Sequence, residues 1–202
     1  MRLKPPKFIR WLMPDLIWEM KDKSAVYLTF DDGPTPGITE WILSTLDKYD
    51  AKATFFVLGK NVEMYPDLYR RILEAGHRIG NHTYSHQKGW GMSLERYIED
   101  VDFANDLLHT ELFRPPYARI TPAQARALAK RYKLVMWDVL SRDYNRALSP
   151  RTCLRNVTRY LEGGSIVVFH DSEKSFRNMS YALPRTLQAI RAMGLKCKTI
   201  EL

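Results

Sequence analysis

The chain has 202 residues and a mass of 23.7 kDa, with 45% hydrophobic and 27% charged residues. That size and balance suit one globular domain and exclude a disordered, collagen-like or coiled-coil chain. The formal charge of +8 is uneven: residues 1–113 carry 14 Lys and Arg against 17 Asp and Glu, and residues 114–202 carry 17 against 6. A basic half suits an anionic polymer, a membrane surface or plain solvated helix faces; without a recognition motif, no nucleic-acid partner is expected.

The stretch from Phe8 to Trp18 is apolar but broken by Arg10, Pro14 and Asp15, so neither a membrane span nor a secretory signal is expected. Cys153 and Cys197 are too few for a disulfide framework. The expected location is therefore cytoplasmic, or peripheral at the inner face of a membrane. Trp11, Leu12, Ile17 and Trp18, with Arg2, Lys4, Lys7 and Arg10 nearby, suit contact with a membrane surface. The favoured expectation is that residues 1–24 form an extension packed on a domain spanning 25–202.

Strand candidates rich in Val, Ile, Phe and Tyr follow in order: Val26–Phe30, Thr54–Leu58, His77–Gly80, Leu112–Phe113, Leu134–Val139, Ile166–Phe169 and Cys197–Ile200. Helical patterns lie between them. Thr35-Pro36, Thr121-Pro122 and Ser149-Pro150 each read as a cap residue before a first-turn proline. Gly76, Gly163 and Gly194 read as left-handed helix stops. Leu94, Ile98, Val101 and Leu108 share one helical face. Alternating strands and helices predict a parallel sheet, either a small β/α barrel or a doubly wound open sheet.

In either architecture the site lies at the carboxyl ends of the strands. Asp31-Asp32, Asn81-His82, Arg114 and His170-Asp171 follow strand candidates, and Asp138 lies at the end of the fifth. After the first strand, Gly33 and Pro34 force a turn that holds two neighbouring carboxylates at the rim. His82 and His86, four apart, would share one side of a helical turn and ligate one metal with a carboxylate. The mixed N and O donors favour zinc or another first-row ion over Mg or Ca. In Arg114-Pro115-Pro116-Tyr117 the prolines leave the Tyr117 N–H as an aimed donor, suited to an oxyanion. Arg114 would clamp a carboxylate bidentately. His170 closes a buried strand and suits proton donation to a leaving group. His77, His109 and the two cysteines read as structural. Together these groups are the parts of metal-assisted hydrolysis of a carbonyl compound.

From about Tyr27 to the C-terminus the chain resembles the NodB-type polysaccharide deacetylases, carbohydrate esterase family 4. Thr29-Phe-Asp-Asp-Gly-Pro34, His82-Thr-Tyr-Ser-His86, Arg114-Pro-Pro-Tyr117 and Ile166-Val-Val-Phe-His170 are similar to the family's first, second, third and fifth motifs. The resemblance implies a single-domain α/β fold, a distorted, incompletely closed (β/α)7 barrel. It implies a metal-dependent hydrolase that removes an N-acetyl group from an amino sugar of a polysaccharide, oligosaccharide or glycan intermediate. Asp31 would be the general base and Asp32, His82 and His86 the ligands of a divalent ion, most simply Zn2+ with Co2+ or another first-row metal as alternatives. Arg114 would orient Asp31, the Tyr117 amide would stabilise the oxyanion, and His170, tuned by Asp143, would protonate the departing amine. Pro116, Tyr117, Trp137, Tyr144 and Val168 would line the substrate pocket. The fourth motif departs: Leu140-Ser-Arg-Asp-Tyr144 stands where the family has Asp-x-x-Asp-Trp, and Asp138 is a candidate to compensate for the missing Asp. Alternatives are hydrolysis of another small amide or acyl ester at the same site, or a catalytically weak glycan-binding relative.

Overall fold

The computed structural model of the chain describes residues 16–201. Strand β2 (Ala25–Asp31) is buried along its whole length, as expected of a parallel strand covered on both faces. Its alternation places the site. Val26, Leu28 and Phe30 join the apolar layer beneath the helices, Ala25 and Tyr27 join a second apolar layer inside the barrel, and the same period points Thr29 and Asp31 inward. Strand β8 (Ile166–His170) repeats this, with Val167 and Phe169 in the outer layer and Ile166 and Val168 in the inner one.

The remaining strands are β1 (Leu16–Ile17), β3 (Ala53–Val57), β4 (Arg78–Asn81), β5 (Leu112–Phe113), β6 (Lys133–Val135), β7 (Val139–Leu140) and β9 (Lys196–Cys197). The sheet runs β1-β6-β5-β4-β3-β2-β8-β7 with every pair parallel, and β9 pairs the start of β2. Among the described residues no ladder joins β7 back to β1. That gap is bridged by an isolated Glu19–Ser165 pair and by the Met20 N–H donating to the Gly164 carbonyl. The result is the distorted, incompletely closed β/α barrel. Helices α1 (Ile38–Asp47), α2 (Gly59–Met64), α3 (Pro66–Glu74), α4 (Leu94–Leu108), α5 (Pro122–Leu128), α6 (Pro150–Thr158) and α7 (Glu173–Ala192) complete it among the described residues. None of them is long and apolar enough to cross a membrane.

Several expected elements differ in detail. The run 134–139 is two strands, because Met136, Trp137 and Asp138 lie outside both; the carbonyls of Val135, which ends β6, and of Met136 accept from Arg114. β9 covers 196–197 rather than 197–200 and lies off the main sheet path. α1 begins at Ile38, not after Thr35-Pro36: Gly37, at φ 79°, is its cap and the Glu40 carboxylate takes the Gly37 N–H. Gly164, at φ 88°, takes the left-handed position expected of Gly163, whose own Cβ would strike the Lys23 carbonyl. Thr121 and Ser149 cap α5 and α6 as read from the sequence.

Of the N-terminal segment, residues 1–15 lie outside the described residues, and with them Arg2, Lys4, Lys7, Arg10, Trp11 and Leu12. Leu16 is buried, and Ile17 and Trp18 are half-buried against the inner layer.

Candidate active site

The barrel mouth is built outward from one buried cation. Arg114 follows β5 and is 0% exposed. Its guanidinium lies 4.0 Å from the centre of the Phe56 ring, and Phe56 fits only because Gly80 has no side chain, since a Cβ there would meet the ring at 2.4 Å. Nη1 donates to Thr29 Oγ1 and Asp31 Oδ1, both at 2.7 Å, while Nε and Nη2 donate to the Val135 and Met136 carbonyls. Two of the five donor hydrogens thus serve the last carbonyl of β6 and the one after it. The contact with Asp31 is a single ion-paired hydrogen bond, not the expected bidentate clamp. Oδ1 of Asp31 is thereby committed, and the carboxylate borders the pocket.

Asp32 leaves β2 at φ 80°, turning its side chain away from that of Asp31. Gly33 is required next, because a Cβ there would lie 2.2 Å from the Asp171 carboxylate. The 82–86 segment is not helical, contrary to expectation. Thr83 and His86 take positive φ, and the loop is held by the Thr83 N–H on Asn81 Oδ1 and the Ser85 hydroxyl on Asp100. The two imidazoles nevertheless converge. His82 donates from Nδ1 to the Arg114 carbonyl at 2.7 Å, and the Tyr117 hydroxyl sits 3.2 Å from His86 Nδ1. Both Nε2 atoms therefore face Asp32 Oδ1, at 3.7 and 3.2 Å, and the three donor atoms lie within 4.8 Å of one another.

That donor set fits a first-row divalent ion. Two imidazole nitrogens and one carboxylate oxygen leave positions open, the spacings suit ligands each about 2.1 Å from a common centre, and outside contacts orient both rings. Burial holds His82 neutral, down at about 4 despite the nearby Asp31 and Asp32. Burial disfavours the charge on Asp32, but the His86 hydrogen bond and the His170 charge outweigh it and hold the carboxyl well below the usual range.

Across the pocket, His170 ends β8. Its Nδ1 and its backbone N–H both donate to Asp143, at 2.7 and 2.8 Å. Asp143 is fully buried in a loop tied down by Asn178, which donates to the Asp143 carbonyl, and by Asn156, which donates to the Ser141 carbonyl. Burial opposes charge on His170, yet the Asp143 charge and hydrogen bond, aided by Asp32 and Asp31, raise it to about 9. The Tyr144 ring meets the His170 ring edge-on at 5.0 Å.

These groups surround one cavity of about 460 Å³, lined by Asp31, Asp32, His82, His86, Tyr117, Trp137, Tyr144, Val168 and His170, with Leu140 on its wall. Two expectations are corrected. Pro116 is buried and does not line the cavity; its neighbour Pro115 does. Asp138 does not compensate for the aspartate replaced by Leu140. Its carboxylate accepts from the Ile166 N–H and the Ser165 hydroxyl, at the start of β8 and thus at the other end of the barrel. Sequence reasoning missed Arg119, Ser172 and Lys174, which also border the cavity. Each follows a recognised motif by only a few residues, which was the available signal.

A family model described as polysaccharide deacetylase matches residues 19–137. The chain belongs to the polysaccharide deacetylase family. It is 33% identical over 187 residues to a peptidoglycan-N-acetylglucosamine deacetylase of Bacillus cereus, covering 89% of this chain and 68% of that protein. It superposes on a crystal structure of a peptidoglycan N-acetylglucosamine deacetylase in complex with an N-oxidanyl-benzamide at a TM-score of 0.88 and 29% identity, covering 97% of this chain and 95% of the other. It also superposes on a Bacillus anthracis pseudoenzyme of carbohydrate esterase family 4, at a TM-score of 0.82 and 25% identity over 92% of this chain and 67% of that one. A shared fold is thus compatible with loss of activity, and the residues of the site carry the argument. Deacetylases of this family hydrolyse N-acetyl amide bonds of glycans and depend on a metal.

Proposed function

We propose that this chain is a zinc-dependent N-deacetylase of an amino sugar in a glycan. Zinc suits the mixed nitrogen and oxygen donors of Asp32, His82 and His86, and when bound it would supply Lewis acidity to the attacking water and the acetyl carbonyl. Asp31 takes the proton of that water through the oxygen Arg114 leaves free, and the water oxygen bonds to the acetyl carbon. The Tyr117 peptide N–H meets the negative charge that develops on the carbonyl oxygen. The C–N bond then breaks as His170 delivers its Nε2 proton to the nitrogen, releasing acetate and a free amine. Asp143 keeps that proton available. Trp137, Leu140, Tyr144 and Val168 enclose the acetyl methyl.

The observation that supports this most is convergence on one cavity: a carboxylate held by a buried arginine, a three-donor corner and a histidine paired with a buried aspartate. A binding module has no use for Asp31 and His170 together. Metal-stripped protein assayed for acetate release from chitin oligomers, peptidoglycan fragments and lipid- or nucleotide-linked N-acetyl sugars tests it, with and without zinc. Zinc-dependent release is expected. Tight metal binding without release points to another acyl group, with Leu140 and Tyr144 responsible. Failure to bind metal overturns the reading. For the N-terminal segment we keep packing on the barrel rather than membrane contact, since Ile17 and Trp18 lie against the inner layer; flotation of the intact protein with liposomes would reverse that choice.

A further inference from the structure

Asp32 supplies the carboxylate of the three-donor corner from a costly backbone position. Its φ of 80° lies in the left-handed region, where a residue with a Cβ stays only if its surroundings hold it there. One side of the hold comes from β3 and α2. The Asp32 N–H donates to the Phe56 carbonyl at 3.2 Å, and the Asn61 amide donates to the Asp32 carbonyl at 2.8 Å. The Leu58 N–H donates to the Gly33 carbonyl at 3.0 Å.

The other side is Asp171, a fully buried residue with no place in the chemistry above. Its N–H donates to the Asp31 carbonyl and its own carbonyl accepts from the Thr35 hydroxyl, both at 2.7 Å. Its Oδ2 accepts from the Thr39 hydroxyl at 2.6 Å, and Thr39 Oγ1 accepts in turn from the Thr35 N–H at 2.7 Å. A Cβ on Gly33 would stand 2.2 Å from that same Oδ2, so the carboxyl is seated against the residue that follows Asp32. Asp171 thus meets the chain at 31, 33 and 35, on both sides of the candidate ligand. Its second oxygen, Oδ1, is buried with no hydrogen-bond partner among the described residues. Leucine would fill the space without desolvating an unpaired oxygen, so packing alone gives no reason for a carboxyl here. The Thr39 hydroxyl does, because its hydrogen needs an acceptor while its oxygen serves Thr35.

We propose that Asp171 and Thr39 are positioning residues for the metal ligand Asp32. The carboxyl seated against Gly33 and tied to Thr39 fixes the backbone from Asp31 to Thr35, so Asp32 faces His82 and His86 already in its left-handed conformation. Neither side chain belongs to the donor set. Both act by preorganisation: once the turn is released, Asp32 relaxes toward ordinary backbone, and binding the ion must restore it. This rests on the zinc-dependent reading above and adds to it the residues outside the donor set that fix the affinity.

The test reads metal binding rather than turnover. Zinc affinity of the full chain is measured by competition with a chromophoric chelator. Thr39→Val keeps the shape and removes the hydroxyl, so it should weaken zinc binding roughly 10-fold, and Asp171→Leu roughly 10- to 100-fold, the range for residues that orient metal ligands. Thr39→Ser keeps the hydroxyl and Asp171→Asn keeps an acceptor, so both should stay within about threefold of the native chain. With cobalt in place of zinc, the visible absorption band should change in Thr39→Val and return to the native form in Thr39→Ser. Denaturant melts without metal record the structural cost separately, and if Asp171→Leu does not fold, the two Thr39 variants decide. A Thr39→Val chain that melts earlier yet binds zinc and cobalt as the native chain does overturns the proposal. So does Asp171→Asn binding as weakly as Asp171→Leu. A native chain that binds no zinc would count against the deacetylase reading instead.

Discussion

His82 and His170 border the same cavity, both inward-facing and both beside aspartates, yet they hold their protons oppositely. At the 82–86 corner, His82 spends its Nδ1 hydrogen on the Arg114 carbonyl, and burial brings it down to about 4. Its neutral Nε2 is then a lone pair aimed at Asp32. At the other corner, His170 spends the same hydrogen on a carboxylate, and the Asp143 charge overcomes burial to raise it to about 9. The acceptor behind the ring separates the two: a carbonyl orients an imidazole without charging it, while a carboxylate makes it an acid. One residue type is thereby tuned in opposite directions on one cavity.

The largest expected effect breaks the first corner. His82→Ala should abolish zinc binding and lower kcat/KM by several kcal/mol of transition-state stabilisation, on the order of 10⁴-fold. His170→Ala should lose turnover but keep the metal. Metal content after dialysis, set beside acetate release, checks both; zinc loss in the His170 variant would erase the distinction drawn here.

Next in size is the proton-donor corner. Asp143→Asn should lower kcat by roughly 10²- to 10³-fold, the range of general acid catalysis. The pH profile carries the sign. His170 must be protonated to give up its proton, so activity should fall as pH rises through about 9. Removing the Asp143 charge removes what raises it, so the alkaline limb should move to lower pH. A limb left in place would assign that titration to another group.

Arg114 connects Asp31 to the His82 corner and tests packing and chemistry together. Its side chain holds Asp31 and its carbonyl holds His82. Arg114→Met should cost about 3–5 kcal/mol in stability, since it leaves the Asp31 carboxylate buried without its cation. Denaturant melts check this, and the carbonyl contact predicts that zinc binding outlasts activity in whatever folds.

How far these corners were legible in the sequence depended on how local the cause was. Asp31, His170 and Arg114 could be assigned to one rim because each ends a strand, and period-two alternation decides where such a residue points. Asp143 could be reached only through the family resemblance, since its loop is held by Asn156 and Asn178 from helices far along the chain. The helical turn expected for His82 to His86 failed for a related reason. A spacing of four is shared by helices and by loops with left-handed residues, and Asp100, a distant residue, selects the loop. The division of 134–139 into two strands was hidden because the Met136 carbonyl, just past the end of β6, turns to Arg114, which is remote in sequence. Leu16–Ile17 was hidden because two residues carry no periodicity. Arg119 and Lys174 were passed over as surface charge, and only the cavity distinguishes them.

A smaller effect concerns Tyr144, where the family has Trp. Its ring lines the cavity and stacks edge-on with His170. Tyr144→Trp should shift the ratio of acetyl to propionyl release by roughly fivefold, within the range of one methylene in an apolar pocket, with zinc binding unchanged. Competition between the two acylated sugars measures that ratio directly.

The smallest expected effect on activity is at Asp138, and it bears on what a buried carboxylate signifies. Asp138 is as buried as Asp143 and lies at the end of a predicted strand. Its oxygens accept from the Ile166 N–H at 2.7 Å and the Ser165 hydroxyl at 3.1 Å, where β8 begins, whereas Asp143 receives His170, where β8 ends. The two aspartates therefore grip the two ends of one strand. Asp138→Asn keeps one acceptor oxygen and loses the other, so it should cost about 1 kcal/mol in stability while kcat and its pH dependence stay as they are. Only the grip at the end that carries the proton should register in the chemistry. A change in the alkaline limb on Asp138→Asn would mean that the field at His170 is set along the whole strand, and the separation of its two ends would have to be abandoned.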